Sequence, residues 1–334
     1  MSESVPALAW VESPFQLLGA LEAHASGRLG GRLVVLPRQG VAPLAATVAA
    51  VSALGLPDGV ELLPPGRVGG VHRRRLGTLA LGDAFSGEVH KLLLTSRPRD
   101  VVLLDDGRST RRVMDALVFP DVPLVRPHIS PSPPRALLAR AALLRLTRLA
   151  RAHRLTVITA LRLPPAVLTA AELIGVRVLH HSFSWLRAVP GPDTPTTDTV
   201  VLGTSLVAND LIAAAPYLDW VRALAAEEPI TYRAHRREDE RTLAPLRANP
   251  NVTVETGSVP VEVSLRGMTA RNRVLTLPTT AVSSMRLITP EAQIQEFAVP
   301  DSWWLPHVPR VARLHLVPDS APAPEPQRSM TVND

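Results

Sequence analysis

The chain has no cysteine, which removes disulfides, thiolate metal ligation and a cysteine nucleophile in one step. Aromatic residues make up only 4% of it, thin for a protein that grips nucleic acid by stacking on bases. Lysine is nearly absent too: among 36 basic residues, Lys91 alone is not arginine. No uninterrupted apolar run reaches the roughly 20 residues that a membrane-spanning helix needs. Residues Met1 to Pro6 lack a basic segment leading into a long apolar core, so no secretory signal is expected. Together these absences predict a cytoplasmic protein, one that at most touches the inner face of a membrane.

What is present is enough apolar material for two cores: 334 residues, 46% of them hydrophobic. The formal net charge of +6 suits an anionic substrate, a nucleotide or an acidic membrane surface. Apolar runs ending in polar or glycine residues alternate with helical patterns. Ala7 to Trp10 reads as a strand, and Ser13 and Pro14 then occupy the cap and first position of a helix lined by Leu17, Leu18 and Leu21. Arg32 to Leu36 is the next strand, which completes a β-α-β unit and predicts a parallel sheet. Further strands are expected near 60–63, at 101–104, 155–159 and 177–180.

Pro190 to Thr197 resists both helix and strand and marks a linker. Beyond it a second alternation begins, with strands at 199–202, 230–233, 251–255 and 274–277. The expected organisation is α/β: a Rossmann-like domain over 1–189, a linker over 190–198, a second Rossmann-like domain over 199–317 facing the first, and a disordered tail over 318–334. Between Arg135 and Arg154, Arg145, Arg148 and Arg151 fall three apart among leucines. That spacing gives a helix a basic stripe, which is either a solvated face or a contact for an anionic membrane or a lipid-linked acceptor.

Chemistry concentrates at strand ends. Val101 to Leu104 runs into Asp105-Asp106-Gly107, two carboxylates at the edge where open α/β sheets bind ligands. One of two adjacent acids beside an apolar sheet can have its pKa raised toward that of a general base. The triplet also reads as a plain polar turn. His235 sits in a charged loop, Glu262 in the acidic first turn of a helix starting at Pro260, and Ser283-Ser284 where a helix cap would serve. Each has a structural explanation as well as a functional one.

Taken in order, these clusters resemble the bacterial sialyltransferases and polysialyltransferases, marked by an acidic-acidic-Gly motif, then a His-Pro motif and a Ser-Ser or Ser-Thr pair. Val11 to Leu18, Gly82 to Ser86, Val201 to Leu206, Tyr232 to Glu238 and Pro260 to Glu262 extend the resemblance over most of residues 7–290. One position departs from it: Arg236 follows the histidine where the family has proline. The resemblance implies two facing Rossmann-like domains of the GT-B glycosyltransferase type. It also implies inverting, metal-independent transfer of an acidic sugar from a CMP-activated donor to a glycan hydroxyl, without a cofactor. Asp105 in the first place, and Asp106 in the second, would take the acceptor proton, and His235 would assist the leaving phosphate together with Ser283 and Ser284. Glu262 would accept from the ribose hydroxyls, Gly203 would let the backbone approach the nucleotide, and Arg233 would meet its base or phosphate. A transferase using a UDP or GDP sugar, and an inert glycan- or nucleotide-binding protein of the same fold, are the alternatives.

Overall fold

The computed structural model describes residues 5–67, 77–105, 107–119, 122–126, 130–191, 195, 197–310, 313 and 316. Asp106 and the expected tail, 318–334, lie outside the described residues.

The chain begins with β1 (Ala7–Val11), α1 (Pro14–Ala25), β2 (Leu33–Pro37), α2 (Ala42–Leu54) and β3 (Val60–Leu62). It continues through β4 (Thr78–Leu81), α3 (Gly87–Thr95), β5 (Asp100–Leu104), α4 (Arg108–Val118), α5 (Pro133–Arg151), β6 (Leu155–Thr159), α6 (Pro165–Leu173), β7 (Val176–His180) and α7 (Ser184–Ala188). The seven strands form one sheet in the order β3-β2-β1-β4-β5-β6-β7, and every neighbouring pair is parallel. Side chains of a strand alternate between faces, so Leu8, Trp10, Leu79, Leu81, Val101 and Leu103 pack with α3 and α5 on one side. Ala7, Ala9, Val11, Ala80, Val102 and Leu104 pack with α1 and α2 on the other. Helices on both faces are why these strands read as continuous apolar runs.

The second sheet is built from β8 (Thr199–Leu202), β9 (Ile230–Arg233), β10 (Val252–Glu255), β11 (Arg273–Thr276) and β12 (Gln293–Glu296) in the order β10-β9-β8-β11-β12. Strands β8 and β9 are parallel. The Gln293 N–H donates to Asn272 O and the Phe297 N–H to Thr276 O, so β11 and β12 also advance together. The sequence therefore folds as α/β with two parallel sheets. In both, the chain steps outward from a first strand to one side and then returns to build on the other. The crevice at that reversal, beyond the carboxyl ends of the strands, is where such sheets bind ligands.

The helices among these strands are α8 (Ser205–Ala208), α9 (Ala214–Glu227), α10 (Glu240–Arg247), α11 (Val261–Ser264) and α12 (Ala281–Ile288). Residue contacts divide the chain into two compact units. The first holds the described residues of 1–198, 255–273 and 280–294, and the second those of 199–254, 274–279 and 295–334. This differs from a single cut at 190–198. Val263 of α11 and Ile288 of α12 are buried in the same core cluster as α1 and α2. Burying such side chains is worth roughly 2 kcal/mol each, so both helices join the first unit. Glu262, Ser283 and Ser284, expected in the second domain, therefore belong to the first unit.

Candidate functional site

Asp105 follows β5 directly and is 1% exposed. Thr110 Oγ1 and the Gly107 N–H donate to its Oδ1 at 2.6 and 2.9 Å. Thr159 Oγ1 and the Ala160 N–H donate to its Oδ2 at 2.8 and 2.7 Å. Burial pushes its pKa up, while the bonds from Thr110, Ala160, Thr159 and Gly107 pull against that shift. Four donors occupy both oxygens, so this carboxylate ties the turn after β5 to the end of β6. Gly107 has φ 64° and ψ −132°, a conformation essentially restricted to glycine. An added Cβ there would stand 3.0 Å from Thr280. Asp106, between these two anchored residues in sequence, lies outside the described residues.

At the carboxyl ends of β1 and β4, where the first sheet reverses, Glu12 and Asp83 organise the loop Gly82 to Ser86. Glu12 Oε1 accepts from Trp10 Nε1 at 2.8 Å and from Ser86 Oγ at 2.6 Å, and Oε2 pairs with Arg38 at 2.7 Å. Asp83 pairs with Arg126 and accepts from the Phe85 N–H at 2.8 Å. His90 Nε2 donates to Ala84 O at 2.7 Å and its Nδ1 accepts from Arg135 at 3.0 Å. Burial lowers the His90 pKa to about 4, so the ring is neutral, which suits this donor-acceptor pairing.

Glu262 and Ser284 meet each other. Ser284 Oγ donates to Glu262 Oε1 at 2.7 Å and to Ala281 O at 3.0 Å. Burial pushes the pKa of Glu262 up, and the Ser284 hydroxyl opposes it. The two serines do not cap a helix that follows them. They lie inside α12, whose N-cap is Thr280, and both are buried. Ser283, at the third position of that helix, is 9% exposed.

A polar cluster of the second unit lies at the carboxyl ends of β8 and β9. The Gly203 N–H donates to Arg233 O at 2.8 Å, placing the glycine against the loop that carries His235. A Cβ on Gly203 would lie 2.2 Å from Glu238 Oε2 and 2.6 Å from the His235 backbone nitrogen. Only glycine lets these segments close together. The His235 N–H donates to Glu238 Oε2 at 2.6 Å, Tyr232 Oη donates to Oε1 at 2.5 Å, and the Thr204 backbone makes a further bond to this carboxylate. The chain has just 2 tyrosines, and their hydroxyls, Tyr217 and Tyr232, lie 2.7 Å apart in this network.

Burial pushes the Glu238 pKa up to about 7, against the bonds from Tyr232 and the His235 and Thr204 backbone. The opposite happens at His235: burial, then the charges of Arg236 and Arg237, lowers its pKa to about 4. The Arg237 N–H donates to His235 Nδ1 at 3.2 Å, so the neutral ring carries its proton on Nε2. Glu238 was hidden in sequence among the charges of Arg236 to Glu240; its place three residues after His235 is the signal that would have found it. Gly203→Ala is expected to force Glu238 and the His235 backbone apart and to lower the melting temperature, which calorimetry on the variant checks.

Among the described residues no cluster of three or more histidine, cysteine, aspartate or glutamate side chains is disposed to hold a metal ion. Nor is any helix among them long and apolar enough to cross a membrane.

Comparison with protein-family models and with curated proteins finds no match. Among solved structures, E. coli heptosyltransferase WaaC with ADP-2-deoxy-2-fluoro heptose is similar at 12% identity and a TM-score of 0.45, over 89% of this chain and 94% of that one. A UDP-glucose: anthocyanidin 3-O-glucosyltransferase in complex with UDP is similar at 12% identity and a TM-score of 0.44, over 89% and 82%. A UDP-glucosyltransferase from Polygonum tinctorium capable of glucosylating indoxyl is similar at 11% identity and a TM-score of 0.48, over 94% and 82%.

Proposed function

We propose that the chain is an inverting, metal-independent glycosyltransferase that moves sialic acid or a related acidic sugar from a CMP-activated donor to a glycan hydroxyl. The observation that carries this reading is the cluster after β8 and β9, where a glycine with no room for a side chain adjoins a neutral histidine with a donor on Nε2. A nucleotide phosphate seated there gains negative charge as the glycosidic bond breaks. A positioned N–H donor stabilises that charge without a cation. The order of the acidic, histidine and serine motifs along the sequence favours CMP as the nucleotide.

In this reading His235 Nε2 donates to the leaving phosphate and Arg233 meets the phosphate or base. Glu262 Oε1 is held by Ser284. Asp105, the first choice for the base from sequence, has both oxygens engaged by four donors, so in this reading the proton of the acceptor hydroxyl passes to Asp106. The acceptor is a glycan or lipid-linked glycan, and the reaction takes place on the cytoplasmic side.

Thermal unfolding across CMP, CDP, UDP and GDP tests the donor, first without metal and then with magnesium. At a hundredfold excess over its dissociation constant, CMP is expected to add about 2.7 kcal/mol to stability, independently of magnesium. His235→Ala should remove most of that gain. Preference for UDP or GDP would replace this reading with transfer from a nucleoside diphosphate sugar. Stabilisation by no nucleotide would leave an inert binding protein.

A further inference from the structure

We infer that the outer face of α5, with the adjoining end of α3, is a docking surface for an anionic phospholipid membrane. Leu137, Arg140, Leu144, Arg148 and Arg151 follow one another at intervals of three or four residues, so they form a single stripe along the helix. All five are exposed, Leu137 at 69% and Leu144 at 49%. The opposite face of α5 supplies Ala139, Ala142, Leu143 and Leu146 to the core. The 19 residues of the helix include no aspartate or glutamate. An ordinary solvated face mixes both signs of charge and carries few large apolar side chains; this one pairs exposed leucines with a single sign.

The stripe borders a groove of about 420 Å³ between α3 and α5. Leu94, Ala141 and Leu144 give it apolar walls, and Arg97, Arg145 and Arg148 give it cationic ones. Leu94 is itself 40% exposed. The acid of α3, Glu88, is paired with Lys91 at 2.9 Å. Apolar walls with arginines among them match a lipid headgroup phosphate above its acyl chain.

Two other occupants fit less well. A symmetric second copy would set arginines against arginines. A soluble polyanion would leave the leucines without a partner. Of the three arginines expected in contact from sequence, Arg148 and Arg151 lie on the stripe, Arg145 is half-buried at the groove, and Arg140 joins them. The inference stands apart from the nucleotide reading, since it involves none of those residues.

The test is sedimentation of the full chain with vesicles of phosphatidylcholine alone and with added phosphatidylglycerol. Binding is expected only to the anionic vesicles and should weaken steeply with salt. An Arg140→Gln, Arg148→Gln, Arg151→Gln variant is expected to bind about a hundredfold more weakly, and Leu137→Ser with Leu144→Ser about tenfold. Both keep the wild-type melting temperature, because the altered side chains are exposed. Equal binding to neutral vesicles, or undiminished binding by the glutamine variant, would overturn the inference. So would a dimer that dissociates in the serine variant, or soluble polyphosphate competing fully while the serine variant binds vesicles as wild type does.

Discussion

Asp105→Asn is expected to cost the first unit about 3 kcal/mol of stability, and Asp106→Asn to lower turnover by at least about a hundredfold. The cost at Asp105 follows from the four donors around it. An asparagine offers one acceptor oxygen, and its amide group must replace the other. Whichever way it turns, the amide faces a buried backbone N–H, that of Gly107 or that of Ala160. The threonine hydroxyl on the same side can rotate to accept; the main-chain N–H cannot. A buried donor left unpaired costs about 1–3 kcal/mol, with the lost charge-assisted bonds in addition. For a unit of this size the melting temperature should fall by about 10 °C. Differential scanning calorimetry of both variants, beside turnover with the donor identified by nucleotide stabilisation, reads the contrast. A folded, fully stable Asp105→Asn protein without activity would instead make Asp105 the base.

Glu238→Gln is expected to raise stability at pH 8 and not at pH 4.5, with a change of about 2 kcal/mol between the two in the variant's favour. In the folded protein the Glu238 pKa is raised to about 7 from 4.5. Between these values the folded state holds a proton that the unfolded chain has shed. The stabilisation from that proton is complete below 4.5 and is lost as pH rises through 7. Each tenfold gain in proton affinity on folding corresponds to about 1.4 kcal/mol, reduced here because water still reaches part of the group. Glutamine fits the same place: its oxygen accepts from the His235 and Thr204 backbone, and its amide donates to Tyr232, whose hydroxyl turns toward Tyr217. Buried His90 and His181 and half-buried His235 act in the opposite sense as pH falls below 6.5, their pKa values lowered to about 4 for His90 and His235 and about 3 for His181. They are common to both proteins and largely cancel in the comparison. Urea unfolding at a series of pH values measures the difference. An equal offset at every pH would mean that Glu238 is ionised throughout.

Much of the architecture was readable in the sequence because parallel strands covered on both faces leave a plain mark. Val101 to Leu104 and Val200 to Leu202 are unbroken apolar runs, and both lie in strands at the expected positions. Ser13 caps α1 with Pro14 behind it, as local chemistry dictates. Properties that depend on distant residues left no such mark. Saturation of Asp105 comes partly from Thr159 and Ala160, more than fifty residues further on. Glu238 owes its environment to Gly203 and to tyrosines on α9 and β9, while its neighbours in sequence suggest a solvated loop. The same holds for α11 and α12: Val263 and Ile288 announce an apolar face, but not which of two cores will receive it.

The interleaved division of the chain bears on how it is made. The first unit takes residues up to 198, then waits for 255–273 and 280–294. At roughly 5–20 residues per second, the ribosome delivers those pieces several seconds or more after the first sheet has emerged. Throughout that interval the surface destined for Val263 and Ile288 faces water. The nascent protein therefore passes through a stage in which its first sheet is complete and its coat is not, a natural point for a chaperone to hold it. For the same reason a fragment ending at residue 198 would be an interrupted intermediate and not a domain.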